Sequence, residues 1–287
     1  MNEDSTYYQK SVLVTGCSSG MGRSIALFLA QYGFLVFATV RKEKDFNSLK
    51  DIDEENLVPV FPLDLTIQEH IPNVLEIVKK ELAARNIKGL YSVINNAGGG
   101  FIAPIELMDI GKFRTELETR ILGPVALLQA FLPLIREAHG RILWIATPSL
   151  IPIPYVSSIH ACDFAQNCLA RTLQIELGPW KIPNILIRCG GMDTPSPAKN
   201  ALELENSMKE WPKERLNLYK EALIKNQESL SKFDKKRTDP KKAAETVFKA
   251  LCAKNPKSRY QVGHLSKSAA FFECLPQALV DHIMSGR

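Results

Sequence analysis

The chain has 287 residues, 45% of them hydrophobic and 23% charged, a composition that excludes disorder, collagen-like repeats and a miniature disulfide scaffold. Lys and Arg number 36 against 31 Asp and Glu, a formal charge of +5, yet residues 199–259 hold 16 basic and 9 acidic side chains. The surplus is therefore regional and interleaved with acids, which argues against a nucleic-acid surface.

In chain order, apolar β-branched runs alternate with segments of helical period. Strands are expected at 11–15, 35–40, 58–61, 91–94, 141–145, 184–187 and 259–262, and helices at 21–32, 67–84, 105–138, 157–177 and 239–253. Such alternation implies right-handed βαβ crossovers, hence an α/β fold: a doubly wound parallel sheet with helices on both faces. Residues 195–236 break the rhythm. They are helix-prone but polar, and follow a late strand at its carboxyl end, where a helical lid over a ligand crevice is expected. A helix opened by Asp239-Pro240 comes next, and residues 265–287 form a carboxyl-terminal tail. No repeat or linker divides the chain, so a single domain spanning 1–287 is expected.

Six scattered cysteines without Cys-x-x-Cys pairs or a His at metal-ligand spacing read as reduced thiols of a cytoplasmic protein with no metal site. The amino terminus is polar through Lys10, and no apolar run of membrane-spanning length is seen, so no membrane span is expected.

Directly after the first strand comes Thr15-Gly16-Cys17-Ser18-Ser19-Gly20-Met21-Gly22, opening an amphipathic helix. Glycines let backbone turn sharply against a pyrophosphate, and the new helix offers it unpaired N–H groups. With Asn95-Asn96-Ala97-Gly98 after the fourth strand, Asp64 in Leu63-Asp64-Leu65-Thr66, and Gly190-Gly191-Met192-Asp193-Thr194, the sequence resembles the short-chain dehydrogenase/reductase family. Its wording around Gly16 and its ending Leu275-Pro276-Gln277-Ala278-Leu279-Val280-Asp281 are most similar to the hydroxysteroid and retinol dehydrogenase branch. The resemblance implies a Rossmann domain with cofactor contacts from Gly16, Ser18, Ser19, Gly20, Met21, Gly22, Arg41, Asp64, Leu65, Asn96, Ala97, Gly98, Gly190 and Thr194. It also implies a homodimer or homotetramer formed through the helices carrying residues 120 and 163, and a small organic substrate. The second strand ends in Val40-Arg41, with no carboxylate to hold ribose hydroxyls and an Arg suited to a 2′-phosphate, which favours NADP(H).

Working members of the family resemble one another in an Asn, a Ser and a Tyr-x-x-x-Lys pair. Here Arg120 stands at the Asn position, Thr147 at the Ser, Ile159 at the Tyr and Asp163 at the Lys. No register shift restores the pair, because Tyr155 is followed four residues later by Ile159. Isoleucine has no proton to give, so alcohol–carbonyl interconversion by the family route is not expected. Arg120 and Asp163 are expected to pair, since the family's Asn and Lys sites face each other. The candidate catalytic residues are Arg120, Thr147, Asp163 and Tyr155, while His160 points away from Ile159 by about 100°. The expected chemistry is hydride transfer to an iminium or conjugated acceptor, or redox-neutral isomerisation or cyclisation. The alternative is an inactive NADP(H)-binding pseudoenzyme with a regulatory or scaffolding role.

Overall fold

The computed structural model describes residues 10–148 and 150–285. The amino-terminal segment before Lys10 and the last two residues of the expected tail lie outside the described residues. Seven strands form one sheet: β1 (Ser11–Val14), β2 (Leu35–Thr39), β3 (Leu57–Val60), β4 (Ser92–Asn95), β5 (Arg141–Ala146), β6 (Asn184–Cys189) and β7 (Arg259–Val262). Their order is β3-β2-β1-β4-β5-β6-β7, every neighbouring pair parallel.

Alternation along the strands splits the interior into two cores. Val12, Val14, Val36 and Ala38 face α1 (Gly20–Gln31) and α9 (Pro240–Cys252), whose Ile25, Leu29, Val247 and Leu251 are fully buried there. Leu13, Phe37 and Trp144 face the opposite side, against α3 (His70–Ala84), α5 (Gly123–Glu137) and α6 (Ser157–Glu176). With both faces covered, the central strands carry almost no exposed surface, which explains their unbroken apolar spelling. Strand order reverses between β1 and β4, and a crevice opens at their carboxyl ends, as in other open parallel sheets.

Two elements differ from expectation. The segment expected as one helix at 105–138 is a short turn at Ile105–Leu107, then α4 (Ile110–Leu117), a π turn at Glu118–Leu122 and α5. Pro124 explains the wide turn: it has no N–H to return to the carbonyl of Arg120, and Gln166 Nε2 donates to that carbonyl instead, at 3.1 Å. A further helix, α2 (Glu43–Lys50), buries only Leu49 and so leaves little apolar period to detect. Among the described residues the run Ile110–Glu137 is long and apolar enough to cross a membrane, and it packs Leu127, Leu128, Phe131 and Ile135 against the sheet.

Residues 195–236 form a helical hairpin, α7 (Ser196–Glu210) and α8 (Lys213–Asp234). Its buried Leu204 and Leu223 pack on Ile102 and Val156, closing a small third core beside the crevice. The tail supplies α10 (Ser266–Phe272) and α11 (Gln277–Ser285). Glu273, just after α10, ties this tail to the sheet: it meets Arg188 at 2.8 Å and Arg259 at 3.3 Å, and accepts the Leu150 N–H at 3.2 Å.

Arg188 is 1% exposed, so removing its carboxylate strands a charge in the interior. Glu273→Ala is expected to lower unfolding free energy by about 3 kcal/mol, read from the urea midpoint. A loss comparable to that at an exposed pair such as Lys242–Glu245 would contradict this assignment.

Candidate active site

The cradle at the crevice is built by short polar bonds between the ends of β1 and β4. Thr15 Oγ1 accepts the N–H groups of Asn96 and Ala97, each at 2.9 Å, while Asn96 Nδ2 donates to the carbonyls of Thr15 at 2.8 Å and Gly16 at 3.3 Å. Gly16 and Gly20 adopt φ of +74° and +58°, which side chains rarely tolerate. At Gly22 a Cβ would fall 2.2 Å from the Gly16 carbonyl oxygen, so helix α1 approaches the turn closely only because that residue is glycine. Ser19 caps α1 without a side-chain hydrogen bond, which leaves the first N–H groups of the helix directed at the crevice.

The crevice is a cavity of about 270 Å³. Gly16, Ser18, Ser19, Gly20, Met21, Gly22, Arg41, Leu65, Asn96, Ala97, Gly98 and Thr194 all line it, twelve of the fourteen positions expected at the cofactor. The other two lie behind it. Asp64 is turned to Thr66, accepting its N–H at 3.0 Å and its hydroxyl at 2.8 Å, and lies 3.9 Å from Arg41. Burial opposes its ionisation, but the Thr66 bonds and the Arg41 charge together hold its carboxyl below the usual range. Gly190 backs onto the tail, where a Cβ would fall 2.1 Å from the His264 carbonyl. Cys17, although inside the glycine turn, is fully buried, and burial pushes its thiol up to about 12. It is no nucleophile at neutral pH.

Arg120, which packs against Gly98, and Asp163 form the expected ion pair, though neither lines the crevice. Arg120 Nη2 donates to Asp163 Oδ1 at 2.7 Å, and Nη1 donates to the Ile159 carbonyl at 3.1 Å. The Thr147 N–H reaches the same Oδ1 at 3.4 Å. Asp163 Oδ2 is buried without a hydrogen-bond partner among the described residues. Arg120, Thr147 and Asp163 therefore meet at one point, with Ile159 beside them leaning on Gly100, whose Cβ position it would occupy to within 2.1 Å.

Tyr155 does not join them. It has a left-handed backbone, φ +68°, and packs into the third core with α7 and α8, so its ring supports the hairpin. His160 is buried, its Nδ1 without a partner, and burial lowers its pKa despite the neighbouring Asp163 charge. Sequence reading missed Glu116, Thr119, Ser196 and Lys199, all lining the crevice. Glu116 precedes Arg120 by four residues on one helical face, a spacing that could have signalled it. Lys199 was submerged in the general basicity of the hairpin.

Comparisons with known proteins agree with this geometry. The model of the family described as short chain dehydrogenase matches residues 10–204. The 11-beta-hydroxysteroid dehydrogenase type 2 of Ovis aries is 30% identical over 89% of this chain, which spans only 61% of that relative's length. The 3-amino-tetrahydro-pyrrolizinone reductase of Xenorhabdus hominickii is 30% identical over 91% of this chain and 89% of its own. In fold, a short chain dehydrogenase from Burkholderia cenocepacia solved in complex with NADP has a TM-score of 0.70 at 20% identity, over 96% of this chain and 98% of the other. The glycine cradle, the Asn96 clamp and the match over more than half its length carry one conclusion: this chain belongs to the short-chain dehydrogenase family.

Proposed function

We propose that the protein is an NADP(H)-dependent reductase whose acceptor is a carbon made cationic by nitrogen, an iminium, rather than a ketone or aldehyde. The observation that carries this reading is the buried, unpartnered Oδ2 of Asp163 at the position where the family places a Lys. An interior carboxylate oxygen with no donor is costly, and a cationic group or a hydroxyl completes it. Ile159 supplies no proton, and hydride addition to an iminium carbon asks for none at that carbon.

The residues present fit the cofactor. The glycine cradle and the open α1 terminus suit a diphosphate. Arg41, with Lys42 beside it on the crevice wall, suits a 2′-phosphate. Asn96, Ala97 and Gly98 form the floor, and Leu65 the wall expected to face adenine. When bound, NADP(H) supplies the hydride. Arg120 holds the Asp163 carboxylate in one orientation through Oδ1, so that its buried Oδ2 is the fixed negative pole whose field the acceptor feels. Thr147 contributes a backbone donor that keeps this carboxylate seated, and α7 and α8 act as the lid that excludes water.

Further features support this reading. The Xenorhabdus relative is by its name a reductase of a nitrogen heterocycle, and the Burkholderia structure carries NADP. Six free thiols suit a cytoplasmic setting. Exposed Leu122, Phe164 and Ile175, close to or on the helices of residues 120 and 163, offer the apolar surface for a dimer or tetramer.

Arg41→Ala is expected to weaken NADPH binding by about 10- to 100-fold, the loss of one contact to a charged group, while NADH binding changes by less than about twofold. Fluorescence titration reads both, and equal losses for the two nucleotides would refute the assignment of Arg41. Asp163→Asn is expected to slow NADPH oxidation by an N-methylated cyclic iminium salt by about 100-fold. If this variant keeps its rate, Asp163 is not the electrostatic partner of the acceptor.

A further inference from the structure

The site holds a second carboxyl group that none of the family's positions accounts for. Glu116 lies on α4 and lines the crevice with Gly98, Gly99 and Thr119. Its Oε1 lies against Gly99, 3.1 Å from where a Cβ would stand, and its Oε2 is buried without a partner among the described residues. Arg120 is the nearby cation, but its guanidinium is committed to Asp163 Oδ1 and the Ile159 carbonyl. Two carboxyl groups thus neighbour one guanidinium, and only one of them holds it directly. The arrangement favours a proton on the other.

The surrounding charges agree. Burial raises the pKa of Glu116, and Glu203 on α7 adds to the rise, while Arg120 and the N–H groups of Gly99 and Gly100 oppose it. From α6 the facing titratable group is Cys162, itself pushed up to about 11 by burial, so it brings no negative charge at neutral pH. Lys199 lines the same crevice.

We propose that Glu116 is the acid that converts a neutral imine substrate into the iminium, a role that rests on the iminium reading above. The Glu116 O–H bond breaks as an N–H bond forms on the imine nitrogen, leaving a carboxylate. That carboxylate and Asp163 then flank the cation they have helped to make. Hydride adds to the carbon, so the imine is reduced by two electrons to an amine and NADPH is oxidised to NADP⁺. Glu116 recovers its proton from solvent through the crevice. The residue does for nitrogen what the family's Tyr hydroxyl does for oxygen.

The test compares methylpyrroline, which must be protonated before reduction, with its N-methyl iminium salt, which is already cationic. In Glu116→Gln the ratio of imine rate to iminium rate is expected to fall by about 100-fold, the usual contribution of a general acid. In the wild type the imine rate should decline as pH rises through the elevated Glu116 pKa, a limb that Glu116→Gln loses and Glu116→Asp retains in part. Infrared pH titration of the protein without nucleotide gives an independent readout: a protonated carboxyl band persisting above the ordinary glutamate range, missing in Glu116→Gln. An unchanged rate ratio with an active wild type, or no such band, overturns the role of Glu116 alone. A wild type that reduces neither compound overturns the iminium reading and this role with it. Should Glu116→Gln not fold, the band and its shift in Glu116→Asp decide.

Discussion

The ion pair between Arg120 and Asp163 organises the junction between the π turn and α6. At 2.7 Å, with both side chains almost wholly buried, neither partner can be changed alone without leaving an uncompensated charge, at a cost of about 3–5 kcal/mol. The pair also fixes geometry. Arg120 sits in a π turn opened by Pro124, its carbonyl taken by Gln166 and its guanidinium spanning to the Ile159 carbonyl, so the π turn and α6 are joined at three points around one residue. Buried together, the two opposite charges cancel, so the pair brings no net charge into the interior.

The nucleotide cradle and the region around Arg120 and Asp163 rest on different kinds of interaction. The nucleotide half rests on backbone geometry that tolerates almost no alternative: Gly22 against the Gly16 carbonyl, Gly20 against Thr194, and Asn96 bridging β1 to β4. The other half rests on side-chain chemistry: a carboxylate, a guanidinium and the aliphatic Ile159 packed against Gly100. Over both lies the α7–α8 hairpin, whose contacts with Ile102, Tyr155 and Val156 make it continuous with the loop leading into α6. Arg188, Glu273 and Arg259 brace the tail from the other side.

Much of this was legible in the sequence because it follows from local rules. Seven strands, the crossover helices and the glycine turn rest on period and spacing, the Arg120–Asp163 pairing on the family resemblance that sets those two positions face to face, and each is present in the structure. The π turn was not legible, since a helical period runs unbroken through 110–137 and the effect of Pro124 depends on Gln166, distant in sequence. Tyr155 looked chemical because phenols are reactive, yet its burial against Leu204 and Leu223 is set by a hairpin whose own packing no local pattern announced. Glu116 was hidden for the opposite reason: a Glu on a polar stretch of helix reads as solvated, and only the fold brings Gly99 and Gly100 over it.

The central claim is that hydride passes to a carbon activated by nitrogen under the field of Asp163. NADPH deuterated at the transferred C4 position, incubated with the protein and either an N-methylated cyclic iminium salt or the corresponding cyclic ketone, tests it by mass spectrometry of the products. One deuterium at the former iminium carbon and no deuterated alcohol is the result expected. A deuterated alcohol from the ketone, or an amine free of deuterium, would contradict it.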